Sequence, residues 1–137
     1  MTLLEALVVL ATMSILTGTV VQAAAGTADR AAVVQAQGAV VRSYREAQSA
    51  ARTFGGRVEL WVSPDSIVVR RLGGDSSIVR RQPGPRGSSV TITPTDYSIV
   101  YGPDGLPVGA GNVTMVLSRG TTSRQIVVSR LGRLRLD

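Results

Sequence analysis

The chain has 137 residues and carries 15 Arg against nine acidic residues, a net charge of +6, with no Cys, His or Lys. That inventory excludes disulfides, thiolate or imidazole ligation of zinc, haem or iron–sulfur clusters, and every Ser-His-Asp, Cys-His or lysine Schiff-base mechanism. With 44% hydrophobic and 18% charged residues it reads as one folded domain, not a disordered chain, and as an interaction module without a cofactor, not an enzyme.

No charged residue stands between Glu5 and Asp29. A helix over those 23 positions is about 35 Å long at roughly 1.5 Å per residue, enough to cross a bilayer core. Residues 1–28 are therefore expected to form a hydrophobic transmembrane helix. The basic start of a secretory signal peptide is missing, although Ala23-Ala24-Ala25 resembles a cleavage site and keeps that alternative open. Glu5 is the odd residue. A carboxylate in such a segment costs about 2.5 kcal/mol or more unless it is paired. The chain's own terminal amine, the amine of a neighbouring copy, or solvation at the headgroup level each answers that cost.

From Asp29 the chain stays helical in character. Val33, Ala36, Val40, Ala47, Ala51 and Phe54 recur at helical spacing and predict one buried stripe. Arg30, Arg42, Arg45, Ser49 and Arg52 fall off it. Gly55-Gly56 is a stop signal, so the whole helix has about 50 residues and a length of about 75 Å. The period then changes from 3.6 to 2. Val58, Leu60 and Val62 alternate with Glu59 and Trp61. Residues 67–72 and 77–81 read as strands around Gly73-Gly74-Asp75, followed by strands at 89–93, 98–101, 113–117 and 125–129 and an alternating stretch at 131–136. Residues 82–88 read as a loop. The expected fold is α+β: a helical segment 29–54 packed on antiparallel sheets built from residues 57–137.

Residues 30–137 hold all 15 Arg against seven acidic residues, a net charge of +8. Such a surface attracts polyanions, and the guanidinium fork suits phosphate. Arg70, Arg71, Arg80 and Arg81 stand on neighbouring strands, placed to meet across a hairpin. Arg130, Arg133 and Arg135 crowd the C-terminus, where Arg133 and Arg135 share one strand face. These seven are the candidate anion- or DNA-binding residues. A solvated sheet face, with Arg usage set by a GC-rich coding bias, is the alternative. Trp61, Tyr97 and Tyr101 are the aromatics available for base stacking.

The start Met1-Thr2-Leu3-Leu4-Glu5-Ala6-Leu7-Val8-Val9-Leu10-Ala11 resembles the mature N-terminus of type IV pilins and type II secretion pseudopilins. Further on, Tyr101-Gly102-Pro103-Asp104-Gly105, Gly111-Asn112-Val113-Thr114, Arg124-Gln125-Ile126-Val127-Val128-Ser129 and Gly132-Arg133-Leu134-Arg135 are similar in kind and order to the GspH/FimT-like branch. The segment Arg45 to Arg52 is similar too. Many pilins carry Pro where Gln22 stands here, and Gly18 offers flexibility instead. The resemblance implies a leader cut just before Met1 by a prepilin peptidase, methylation of the Met1 amine, and filament assembly through Thr2 and Glu5, with Glu5 neutralising the amine of an adjacent subunit. It implies a pilin-like fold and, as partners, other pilin or pseudopilin subunits and an inner-membrane assembly platform. The expected location is a single-pass precursor in the inner membrane, then a periplasmic or extracellular filament. The expected function is a minor structural subunit of a type IV pilus-like or type II secretion filament. The alternatives are a pilus component that captures double-stranded DNA for uptake, with Arg133 and Arg135 on phosphates, the major filament subunit, or an anchored domain without a filament.

Overall fold

The structure, a computed structural model, describes residues 2–74, 76–109 and 111–137, with the backbone alone over 16–22. One helix, α1 (Leu3–Phe54), runs for 52 residues. Its start is a reciprocal cap. The Thr2 hydroxyl accepts from the Glu5 amide and the Glu5 carboxylate accepts from the Thr2 amide, each at 3.4 Å. Its end is set by Gly55, left-handed at φ 61°, a conformation that a Cβ disfavours.

Eight strands follow among the described residues: β1 (Arg57–Val62), β2 (Ser66–Leu72), β3 (Ile78–Pro83), β4 (Thr91–Thr93), β5 (Tyr97–Tyr101), β6 (Val113–Arg119), β7 (Thr122–Val128) and β8 (Leu134–Leu136). They form two antiparallel four-stranded sheets, in the orders β3-β2-β1-β5 and β4-β6-β7-β8. Both sheets pack on the second half of α1. Period-2 alternation puts Val58, Leu60 and Val62 of β1 inward, with Ile67 and Val69 of β2 and Ile99 of β5. From the other sheet come Ile92, Met115, Leu117, Ile126 and Val128. Val33, Ala36, Val40, Ala47 and Ala51 of the expected stripe are buried between them, joined by Tyr44. Each fully buried aliphatic side chain is worth about 1.5–3 kcal/mol of transfer free energy.

Polar ties fix the helix against the sheets. Gln37 Nε2 donates to the Gln125 carbonyl of β7 at 3.3 Å. Gln82 of β3 donates to the Ala39 carbonyl and to the Ser43 hydroxyl. Arg119, at the end of β6, pairs with Asp29 at 2.8 Å.

Several details depart from the sequence reading. Phe54 leaves the stripe: it is 45% exposed, in the last helical turn, with the Arg71 guanidinium 4.4 Å above its ring. Residues 82–88 are not all loop. Gln82 and Pro83 close β3, and Pro85–Ser88 form a 3₁₀ turn. Gly84 between them is required, because a Cβ there would run into the Pro64 carbonyl and the Ser66 amide. The 131–136 stretch is strand only from Leu134, after a turn through Gly132 at φ 73°. Tyr101 is buried and Tyr97 half-buried, both packed with the core that Tyr44 enters.

Two predictions follow. Burial first, then the neighbouring Tyr97 and Tyr101 phenols, pushes the Tyr44 phenol well above its ordinary range, and burial does the same to Tyr101. An unfolded tyrosine ionises near pH 10. The folded state holds these phenols neutral, so their contribution is complete below about pH 10 and is lost as pH rises past it, at about 1.4 kcal/mol per pH unit for Tyr44. Urea midpoints of the detergent-solubilised chain should stay level from neutral pH to about 9 and fall above 10, less steeply in Tyr44→Phe. The second concerns Gly84. Gly84→Ala should lower stability by about 1–3 kcal/mol in the same assay, as backbone overpacking does.

Candidate functional site

The first half of α1 is one candidate. The sheets meet the helix only from Asp29 onward, through the Asp29–Arg119 pair and the buried Ala32 and Val33. About 26 residues, some 40 Å of helix, therefore project beyond the sheets. Leu3, Leu4, Leu7, Val8, Leu10, Met13 and Ile15 are all more than half exposed. At about 100° per residue they span roughly 220° of the helix circumference, more than one flat partner covers. Burying them would release on the order of 10 kcal/mol. Among the described residues no helix is long and apolar enough to cross a membrane, with residues 16–22 outside the side chains described. Met1, expected to carry the processed amine, lies outside the described residues as well. In the single chain the Glu5 carboxylate is held by the Thr2 amide instead.

The arginines are the second candidate, and the strand register sorts them. Arg70, Arg71, Arg80 and Arg81 do not converge. Val68 faces Arg81 and Val69 faces Arg80, and an irregularity after Val69 sets Arg70 opposite Ile78. Arg71 and Arg80 lie on the face toward α1, where Arg71 covers Phe54 and Arg80 pairs with Glu46 at 3.3 Å. Arg70 and Arg81 lie on the outer face, where Arg70 pairs with Glu59 across the β1–β2 register. The period-2 pattern contains this split, since adjacent strand residues point opposite ways; the bulge and the partners are not legible in it.

The C-terminal group does converge on one end. Arg130, Arg133 and Arg135 are all exposed around the turn from β7 to β8. The Ser129 amide donates to the Arg133 carbonyl at 2.9 Å, and the Arg133 amide donates to the Ser129 hydroxyl at 3.1 Å. The Arg130 amide donates to Asn112 Oδ1 at 3.2 Å. The backbone is thus fixed while the Arg130 and Arg133 guanidiniums have no ion-pair partner among the described residues. Arg135, opposite Val127 in β7, pairs with Asp137 at 3.4 Å, though both side chains are largely solvated and the pair is worth little. This turn sits beside the far end of the helix. Gln48 Nε2 donates to the Gly105 carbonyl at 2.9 Å, Arg52 Nε to the Asp104 carbonyl at 3.2 Å, and Gly132 packs against Pro107 and Gln48.

Concave sites are modest. A groove of about 310 Å³ lies between α1 and the 3₁₀ turn, lined by Ala36, Ala39, Arg42, Ile67 and Pro85 among others. Among the described residues no three acidic side chains come together as a metal site. Sequence reasoning missed the ties that place the helix, Gln37, Gln82 with Ser43, and Asp29 with Arg119. Their only signal was a polar residue beside a small-residue stripe.

Comparison with known proteins agrees with this architecture. The fold is shared with two crystal structures of the type IV minor pilin FimU of Pseudomonas aeruginosa. One matches with a TM-score of 0.61 and 15% identity over 79% of this chain and 87% of that chain. The other, in a second crystal form, matches with a TM-score of 0.59 and 14% identity over 79% and 91%. No curated protein matches the chain significantly. The family model for type II transport protein GspH matches residues 12–132, from the apolar helix to the β7–β8 turn. A long N-terminal helix on two antiparallel sheets is the pilin fold, and the chain belongs to the GspH family of pilin and pseudopilin proteins.

Proposed function

We propose that this chain is a minor subunit of a type II secretion or type IV pilus-like filament and that it assembles through the first half of α1. The observation that carries this reading is the projecting helix, whose large apolar side chains from Leu3 to Ile15 are exposed among the described residues. A surface of that kind is stable in lipid before assembly and among neighbouring helices after it. On this reading a prepilin peptidase cleaves before Met1, and an inner-membrane platform moves the helix from lipid into the filament. The sheets remain outside the helical core and carry the specific contacts.

Glu5 then has a defined task. Inside a packed apolar core its carboxylate needs a cation, and the Met1 amine of an adjacent copy is the available one. An axial slip that separates the pair leaves a charge unpaired, at a cost of about 2.5 kcal/mol or more. That cost makes register steep where apolar side chains alone would slide. The Thr2 cap is compatible with this, because a carboxylate has two oxygens and accepts from both groups.

Glu5→Ala should therefore abolish or severely reduce incorporation into filaments while leaving the urea midpoint of the sheet domain unchanged. Comparison of sheared filament fractions with membrane fractions by immunoblot checks it. Incorporation at the wild-type level would contradict the role given to Glu5.

A second reading is favoured by a specific observation, the unpaired Arg130 and Arg133 on a rigid turn at the end of the domain. It makes the chain a pilus component that captures double-stranded DNA through phosphate contacts at Arg133 and Arg135. In a titration of the detergent-solubilised chain with fluorescent duplex at several salt concentrations, Arg133→Ala/Arg135→Ala should reduce the logarithmic salt slope by about 1–2. Equal slopes would leave the arginines as a solvated rim.

A further inference from the structure

The outer face of the first sheet, away from α1, holds a second arrangement. Trp61 is the one Trp of the chain and is 37% exposed. Val58, Leu60 and Val62 point inward from β1, so Arg57, Glu59 and Trp61 point away from α1. The register continues the face across the sheet. Ser98 of β5 stands opposite Trp61, Trp61 opposite Val68 of β2, and Val68 opposite Arg81 of β3. Residues directly paired across strands share a face, so Ser98, Trp61, Val68 and Arg81 make one rung.

That rung differs from its neighbour. Glu59 and Arg70, one step along, pair with each other. Arg81 has no ion pair or hydrogen bond from its side chain among the described residues, and it is exposed. Val68 is only 4% exposed although it lies outside the core cluster, as expected where the larger side chains of its rung cover it. Trp61 and Arg81 are two strands apart, about 10 Å at roughly 4.8 Å per strand. Arg57, also exposed and without a side-chain partner among the described residues, extends the cationic character along β1.

We propose that this face binds single-stranded DNA, with a base stacked on the Trp61 indole and a phosphate held by Arg81. The chemistry selects the ligand in two steps. An unpaired guanidinium on a domain of net charge +8 draws a polyanion. An indole on an open sheet face adds affinity only for a polyanion that also offers free planar rings, and base–aromatic stacking provides it. A duplex keeps its base faces stacked inside, and a lipid headgroup has none. The 10 Å between the two side chains' strands is short against the roughly 4–16 nucleotides that single-strand sites span, so one strand reaches both. This site is separate from the β7–β8 turn and does not depend on it.

The single Trp makes the test direct, because intrinsic fluorescence reports Trp61 alone. An oligothymidylate of about 12 nucleotides, within the usual range of single-strand sites, is titrated into the detergent-solubilised chain at low salt. Quenching of Trp61 emission is expected, with a duplex of the same length quenching at least tenfold more weakly. Arg81→Gln keeps the side-chain stem and the sheet. It should weaken binding about tenfold and reduce the salt slope by about 0.7, the value for one single-strand phosphate contact. Trp61→Ala, followed by anisotropy of a labelled oligothymidylate, should weaken binding at least fivefold. Arg133→Ala/Arg135→Ala should leave quenching unchanged. No quenching, equal quenching by duplex, wild-type binding by Arg81→Gln, or loss of quenching in the C-terminal double variant would each overturn the proposal.

Discussion

Everything in this molecule depends on how narrow α1 is over its second half. Ala36, Ala47 and Ala51 interleave with Val33, Val40 and Tyr44, and all are buried. Small side chains let two sheets approach one helix from different sides, so a single stripe serves as the centre of both packing layers. The sheets supply branched residues on alternating positions to fill the space, Val58, Leu60 and Val62 from one and Met115, Leu117 and Ile126 from the other. Polar ties then fix what apolar contact alone leaves free to slide. Gln37 reaches the second sheet, Gln82 reaches back from the first, and Asp29 meets Arg119 where the sheets end. Below Asp29 the sheets no longer meet the helix, so one element has a half packed into the domain and a half whose large apolar side chains, Leu3 to Ile15 among those described, are exposed.

Much of this was legible in the sequence, for reasons particular residues make plain. The stripe from Val33 to Ala51 and the stop at Gly55 are local signals, read at fixed spacing along one chain. Strand alternation in 58–62 and 113–117 is equally local. Phe54 was misplaced because periodicity does not show that the last helical residue lies past the sheets' cover, against the Arg71 guanidinium. The segment 82–88 looked like loop from its Pro and Gly content, yet Gln82 and Pro83 complete an edge strand, where a missing amide is tolerated. The four hairpin arginines were read as a cluster because their strands are neighbours. Their division between two faces needed the register and the bulge, which only long-range pairing fixes. The burial of Tyr101, likewise, depends on which sheet face meets the helix.

The charge of the domain takes on a different meaning once partners are assigned. Arg70, Arg80, Arg86 and Arg119 each meet a carboxylate, and Arg71 sits on an aromatic ring. Exposed pairs of this kind add little stability; their effect is to remove these cations from the pool available to a ligand. The cations left over are not uniform. Arg57 and Arg81 lie around the Trp61 rung and Arg130 and Arg133 at the β7–β8 turn, while Arg30, Arg42 and Arg45 are exposed along α1 and Arg124 on β7.

The central claim is that residues 3–15 are buried by other copies of pilin-like chains. The chain has no Cys, so single-cysteine variants report without background. Leu4→Cys, Leu7→Cys, Val8→Cys and Leu10→Cys, oxidised with a membrane-permeant catalyst in cells that assemble the filament, are the direct measurement. The account expects cross-linked species that depend on assembly and vary with helical position, with none from a control cysteine at the outward Ser49. Absence of cross-linking at all four helix positions in assembled material would contradict it.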